Sequence, residues 1–160
     1  MNGIIPDFVL KRETELSDIF YDKSGKIKRY VAEGLGLNFN DVNDCLALGI
    51  VYQNKIVGGV VYCDFQNKTS AWINIYTDNK HWCSQKTLKQ IFGIGFDVLK
   101  CRRINALINT KNKPSISLAK RCGFKKEGKM RQFRDDGQDV FVFGMLRNEC
   151  KFINNTKKEK

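Results

Sequence analysis

The alternation of apolar and polar positions divides this chain into short segments of two kinds. Residues 46–53 (LALGIVYQ), 56–65 (IVGGVVYCDF) and 69–78 (TSAWINIYTD) are rich in β-branched and aromatic residues, with turn signals at Asn54-Lys55 and Asn67-Lys68. Such runs joined by short polar turns predict a three-stranded antiparallel meander. Gly58-Gly59 inside the second run predicts a bulge or a close neighbour, not a break. After a loop at 79–83, Leu88, Ile91, Phe92, Gly95, Phe96 and Leu99 recur at helical spacing. They predict one long helix with Ser84 as N-cap and one face against a sheet. Ahead of the meander the pattern is less regular. Residues 8–11 predict a first strand. Thr14 with Leu16, Ile19 and Phe20 predicts a short helix broken at Ser24-Gly25. Ile27, Tyr30, Val31 and Leu35 predict a second helix, ended by Gly34 and Gly36.

The stretch 103–128 (RINALINTKNKPSISLAKRCGFKKEG) organises the second half. Ile104, Ala106 and Ile108 alternate as in a strand. A polar turn at 109–113 precedes Pro114, where a helix can begin, and Gly123-Phe124 ends that helix and starts another extended run. Asp135-Asp136-Gly137 then predicts a tight hairpin turn between 129–134 and 139–147. The resulting order is strand, helices, three meander strands, long helix, strand, short helix and hairpin. It predicts a mixed α/β fold with helices on the faces of a central, mostly antiparallel sheet. No repeat or linker interrupts it, so residues 1–152 read as one domain and 153–160 as a basic, disordered tail.

Composition bounds the function. The 160 residues carry a formal net charge of +11, which fits either a solvated basic surface or an anionic partner, whether nucleic acid, acidic protein or a phosphorylated cofactor. No apolar run is long enough to span a membrane, and the first residues lack the pattern of a signal peptide. The six cysteines (Cys45, Cys63, Cys83, Cys101, Cys122 and Cys150) form no CxxC pair, and His81 is the one histidine. They read as small buried hydrophobes in a reducing cytosol, with no metal site, and the expected location is cytoplasmic.

The chemistry starts at the long helix. A helix N-terminus presents amides without intrahelical acceptors and the positive end of a dipole, a setting suited to phosphate. Here that end is Lys80, His81, Trp82, Cys83, Ser84, Gln85, Lys86 and Thr87. The same residues also make an ordinary capped helix. Trp72 and Trp82 serve as core or as site walls. Cys83 and Cys122 lack a histidine–carboxylate partner in sequence and read as structural.

The residues Asn112, Ser115 and Ile116, then Leu118 through Cys122 with Gly123-Phe124, then Glu127-Gly128, resemble the Gcn5-related N-acetyltransferase (GNAT) superfamily. Within it they resemble the ribosomal-protein alanine acetyltransferase branch, as does the final segment 137–146. The resemblance covers about residues 46–147. It implies a sheet splayed between its fourth and fifth strands, with acetyl-CoA in the gap. The pantetheine arm would pair with backbone around Ile75, and the pyrophosphate would lie at Trp82, Cys83, Ser84, Gln85, Lys86 and Thr87. Asn112 would bond the arm and Ser115 would lie near the sulfur.

The implied reaction is direct acetyl transfer to a primary amine, of a protein N-terminus or a small molecule. It needs a base, an oxyanion donor set and a proton for the leaving thiolate. Tyr76, Asp78 and His81 are candidates for the base, Asp78 serving equally as a turn residue, with a water chain as the alternative. Two departures stand out: the phosphate loop has none of the family's glycines, and Ala119 occupies the place of a tyrosine acid, which leaves Ser115 or solvent to supply that proton. These departures and the charge allow a second function, an inactive module that binds nucleic acid or an acidic partner. Acceptor specificity would come from residues 14–37 and the loop after Phe133, with Tyr21, Tyr30 and Phe39 as groove or core residues. The assembly would be a monomer or homodimer.

Overall fold

A computed structural model of the chain describes residues 18–39, 45–66 and 69–153. The strand expected at 8–11, the Thr14 cap, the Asn67-Lys68 turn and the tail beyond 153 lie outside these residues. The strands are β1 (Asp18–Asp22), β2 (Cys45–Tyr52), β3 (Lys55–Gln66), β4 (Ser70–Thr77), β5 (Arg103–Asn109), β6 (Lys125–Met130) and β7 (Val140–Leu146). The helices are α1 (Lys26–Leu35), α2 (Gln85–Gly93) and α3 (Lys113–Cys122). All seven strands form one sheet in the order β1-β2-β3-β4-β5-β7-β6. Every pairing is antiparallel except that of β4 with β5.

The meander falls where the hydrophobic pattern put it. The helix expected through Ile19 and Phe20 is instead β1, paired antiparallel with β2 from Asp18↔Val51 to Asp22↔Ala47. Its residues alternate: Ile19 and Tyr21 join the larger core, while Phe20 packs on the other face against α1. Three consecutive β-branched or aromatic residues beside an open sheet edge favour extension over helix. Ser24-Gly25 begins α1. The Asp22 carboxylate accepts from the Ser24 amide (2.9 Å), the Ser24 hydroxyl (2.6 Å) and the Ile27 amide (2.8 Å). Burial pushes the Asp22 carboxyl up, but these hydrogen bonds outweigh it and hold it below the usual range.

Two hydrophobic clusters sit on opposite faces of the sheet. Ile27 and Val31 of α1 meet Ala47, Val61 and Cys63 on one face. Leu88, Ile91 and Phe92 of α2 and Ile116, Ala119 and Cys122 of α3 cover the other, against Val60, Tyr62, Ile104 and Phe143. The long helix keeps its apolar face but not its α geometry: after Gly93 it widens into a π-helical turn, Ile94–Val98. The buried Tyr62 hydroxyl donates to the Ile91 carbonyl at 3.0 Å, one of the insertions that open an α ladder.

Helix α3 ends in a left-handed Gly123 at φ 116°, with the Gly123 amide turned back onto the carbonyls of Ala119 and Lys120. A Cβ at Gly123 would lie 2.1 Å from the Glu149 carbonyl oxygen, so both conformation and space require glycine. Strand β6 starts at once after Phe124. Regular pairing with β7 ends at Met130↔Val140, but the expected tight turn at Asp135-Asp136-Gly137 is present within the connection 131–139: the Gly137 amide donates to the Arg134 carbonyl (2.8 Å), the Arg134 amide donates to the Gln138 carbonyl (3.2 Å), and Gly137 takes φ 78°. Replacing Gly123 with alanine should cost about 1–3 kcal/mol from the strained backbone alone. Urea denaturation checks this, and an unchanged midpoint would contradict it.

Candidate active site

Strands β4 and β5 pair over three residues: Ser70↔Arg103, Ala71↔Ile104 and Trp72↔Asn105. Both continue past that point without each other. Beyond it β4 stays with β3 as far as Thr77↔Gly58, and β5 stays with β7 as far as Asn109↔Val140. The sheet therefore splits between its fourth and fifth strands, as expected. Among the described residues, the edge of β4 at 73–77 that faces β5 has no partner strand.

The closed end of this split is held by polar side chains. Asn105 is only 5% exposed, and its amide donates to the Ser70 hydroxyl (2.6 Å) and the Ala71 carbonyl (3.2 Å) of β4. Its side-chain oxygen accepts from Arg103 Nε (2.6 Å). The Arg103 guanidinium reaches Glu127 on β6 at 2.6 Å, crossing β7 at Gly144, where a side chain would block it. Glu127 is the extra residue of a bulge, between the pairs Lys126↔Phe143 and Gly128↔Val142.

The open end gathers aromatic and acidic groups from β4 and α1. The Tyr76 ring lies over Gly34, where a Cβ would come within 2.4 Å of it, so Gly34 is a helical residue that admits the ring and not a helix terminator. Tyr30 stands edge-on to Tyr76 with centroids 5.2 Å apart. The Tyr30 hydroxyl is buried and lies beside Asp78, though no hydrogen bond of good geometry joins them. Burial first, then Asp78 and Tyr76, push the Tyr30 phenol up to about 12, so it stays protonated at neutral pH. Asp78 is exposed just past β4, at a turn pinned by Thr77, whose hydroxyl donates to the Val57 carbonyl (2.6 Å) and accepts from the Asn79 amide (3.1 Å). Tyr21 and Tyr30 cannot line one groove: Tyr21 packs with the larger core on the opposite face, and Phe39 is buried beneath α1.

The loop after β4 makes a 3-10 turn, Lys80–Trp82, and then α2. Ser84 caps the helix as expected, its hydroxyl accepting from the Thr87 amide at 3.0 Å and lying 2.8 Å from the Thr87 hydroxyl. Thr87 is fully buried, so its hydroxyl serves the cap. The Trp82 side chain is packed in the larger core and not presented as a wall of the site. Gln85 and Cys83 are exposed and Lys86 and Ser84 half-buried, at the helix end itself. Burial pushes the Cys83 thiol up against the opposing pull of Arg121, and burial, with Cys83 and Cys150 nearby, pushes Cys122 up to about 12. Neither is an activated nucleophile.

On the far side of the split, Asn112 is the N-cap of α3: its side-chain oxygen accepts from the Ser115 amide at 3.3 Å, which leaves the NH2 group for a ligand. Ser115 is half-buried in the first turn. Ala119, in the place of the family's tyrosine, is buried in the core. The structure thus unites Tyr76 and Asp78 with Tyr30 on the α1 side. It puts Ser115 and Asn112 across the split on the helix that covers the other face. Ile75, half-buried, lies on the unpartnered edge between them. Tyr30 and Gly34 are the residues that helical spacing alone reads as core or terminator.

A split sheet with a capped helix end and a second helix beside the gap is the architecture of an acyl-CoA-dependent transferase. The model of the acetyltransferase (GNAT) domain matches residues 35–141, and the chain belongs to this family. The family takes its acetyl group from acetyl-CoA. An uncharacterized N-acetyltransferase p20 of Bacillus licheniformis is 30% identical over 90 residues, covering 52% of this chain, and the chain spans about half (51%) of that relative's length. Among solved structures, a dodecameric spermidine N-acetyltransferase from Vibrio cholerae superimposes with a TM-score of 0.68 at 16% identity, over 88% of this chain and 98% of that one. The same enzyme with CoA and spermine gives 0.67 at 15% identity, over 83% and 96%. At these identities the likeness is one of fold.

Asn105→Leu should destabilise the protein by about 1–3 kcal/mol, because the buried Ala71 carbonyl loses its side-chain donor. Chemical denaturation measures it, and a change below a few tenths would show that the clamp contributes nothing.

Proposed function

We propose that this chain is an acetyl-CoA-dependent N-acetyltransferase that acetylates a primary amine by direct attack. The observation that carries the proposal is the split itself: pairing that stops at Trp72 and Asn105 leaves an extended backbone edge flanked by Tyr76 and Asp78 on one side and Ser115 on the other. Such an edge accepts an extended ligand as an added strand. The free edge at 73–77 and the capped end of α2 fit the pantetheine arm and the phosphates, although side chains stand where family members carry glycine. Ile75 backbone and the Asn112 amide would hold the arm, and Cys83, Ser84, Gln85 and Lys86, with the backbone of Trp82, would form the phosphate end; Thr87, buried with its amide and hydroxyl both turned to Ser84, supports that end from beneath. Bound acetyl-CoA supplies an activated thioester.

The chain's own residues do the rest. Asp78, an exposed carboxylate in a protein of net charge +11, attracts the acceptor ammonium and takes its proton. Tyr76 orients the amine, and Ser115 donates toward the sulfur. The motif from Asn112 to Gly128 supports the ribosomal-protein alanine acetyltransferase branch, whose acceptor is a protein N-terminus. The solved spermidine acetyltransferases support a small polyamine. We take residues 1–152 as one cytoplasmic domain, monomeric or homodimeric; among the described residues, no helix is long and apolar enough to cross a membrane.

A second reading, an inactive module that docks on nucleic acid or an acidic protein, draws on the exposed Lys113, Lys120, Arg121, Lys125, Lys126 and Lys129 of α3 and β6. Lys125 and Lys129 are already paired with Glu149 and Asp139, which weakens it.

Calorimetric titration with acetyl-CoA should give a saturable site, and no binding at millimolar concentrations of acetyl-CoA would end the proposal. Ser115→Ala should lower kcat by about 100-fold while leaving acetyl-CoA affinity within a few fold. An unchanged kcat would remove Ser115 from the mechanism.

A further inference from the structure

The split sheet is tied at both ends, and the second tie is not made by strands. Arg134, half-buried in the loop between β6 and β7, donates from its guanidinium to the Leu35 carbonyl at 2.7 Å. Leu35 is the last residue of α1, where helix carbonyls lack intrahelical donors. The left-handed Gly36 closes α1 by sending its own amide to Glu33 (3.3 Å) and that of Leu37 to Ala32 (2.8 Å), and Arg134 takes up the Leu35 carbonyl. Gly36 is required by its left-handed backbone, φ 64°; a Cβ there would stand in ordinary contact with the guanidinium, 3.4 Å away.

The position of this bond gives it a role. Helix α1 belongs to the β1–β4 half of the sheet, packed on β2, β3 and β4. The loop belongs to the other half. It is fastened there by the Thr110 amide on the Asp139 carbonyl (3.1 Å), by the Asn109 side chain on Gln138, and by the Gln132 amide on Asp139 (2.8 Å). Asn109 and Val140 face each other where β5 and β7 reach the open end of the split. Leu35 directly follows Gly34, the seat of the Tyr76 ring, one turn beyond Tyr30. One arginine thus bridges the two half-sheets on their open side and fixes the helix turn that holds Tyr30 and Tyr76 beside Asp78.

We infer that Arg134 is a positioning residue for the amine acceptor: it sets the distance between the α1 turn and the β6–β7 loop that wall the acceptor side, and leaves the acetyl-CoA side alone. The role in catalysis rests on the acetyltransferase reading above; the strap itself does not. A guanidinium held on a helix-terminal carbonyl is a charge-assisted bond, stronger than a neutral one. Lysine keeps the charge but not the planar fork, so it should restore only part of the effect.

Two measurements decide this. Hydrogen exchange on the free protein reads the strap: Arg134→Ala should speed exchange at 33–37 and 131–138 together and leave 85–93 unchanged. Acceleration confined to 131–138 would overturn the strap. Steady-state kinetics with acetyl-CoA and spermidine as the probe amine read its use. Arg134→Ala should raise the KM for spermidine about tenfold with the KM for acetyl-CoA within twofold, and Arg134→Lys should fall between. An unchanged spermidine KM, or equal rises for both substrates, would overturn the positioning role. If the wild-type chain acetylates no amine, the acetyltransferase reading fails, and the exchange result alone upholds or overturns the strap.

Discussion

Three residue pairs of parallel sheet carry the architecture of this protein. Where β4 and β5 pair, from Ser70↔Arg103 to Trp72↔Asn105, the two half-sheets are one; past Asn105 they are two. A short parallel ladder is weak by itself, and a buried polar residue within it is costly unless it is fully bonded. Asn105 meets both conditions at once, giving its amide hydrogens to β4 and its oxygen to Arg103, which is anchored in turn by Glu127. The chain thus stays joined where backbone bonds are few and comes apart where β3 and β7 hold each strand from outside. Everything assigned to function lies downstream of that point: the free edge of β4, the Tyr30–Tyr76–Asp78 group, the cap of α2 and the first turn of α3.

Electrostatics follow the same geometry. Part of the basic excess lies on exposed faces of α3 and β6, while the open end carries Asp78 and a Tyr30 phenol held protonated by burial and by that carboxylate. An ammonium acceptor and a polyanionic donor would thus meet different ends of the site. Three cysteines near α2 and α3, Cys83, Cys122 and Cys150, have their thiols pushed up by burial, which keeps them out of the chemistry.

Much of the fold was legible in the sequence because local and global preferences agree. The meander alternates with clear turns, and Gly123-Phe124 is legible because a left-handed helix end against the Glu149 carbonyl leaves no other residue possible. Ile19 and Phe20 of β1 also fit helical spacing, and the open edge of β2 decides for a strand. Gly34 read as a helix stop; its reason is a ring arriving from β4, which spacing along one helix does not reveal. The clamp was hidden for a similar cause. Asn105 sits between Ile104 and Ala106 and reads as the outward position of a strand, yet a parallel pairing covered on both faces buries it. The Arg134–Leu35 bond joins residues 99 apart in sequence, with no local pattern to announce it.

On the proposed function, the unpartnered edge of β4 receives the acetyl donor as an added strand. Amide hydrogen exchange of β4 with and without saturating acetyl-CoA tests it most directly. Amides within 73–77 should become protected on binding, while those at 70–72, already next to β5, should change little. Bound acetyl-CoA that leaves 73–77 exchanging as in the free protein would contradict the account.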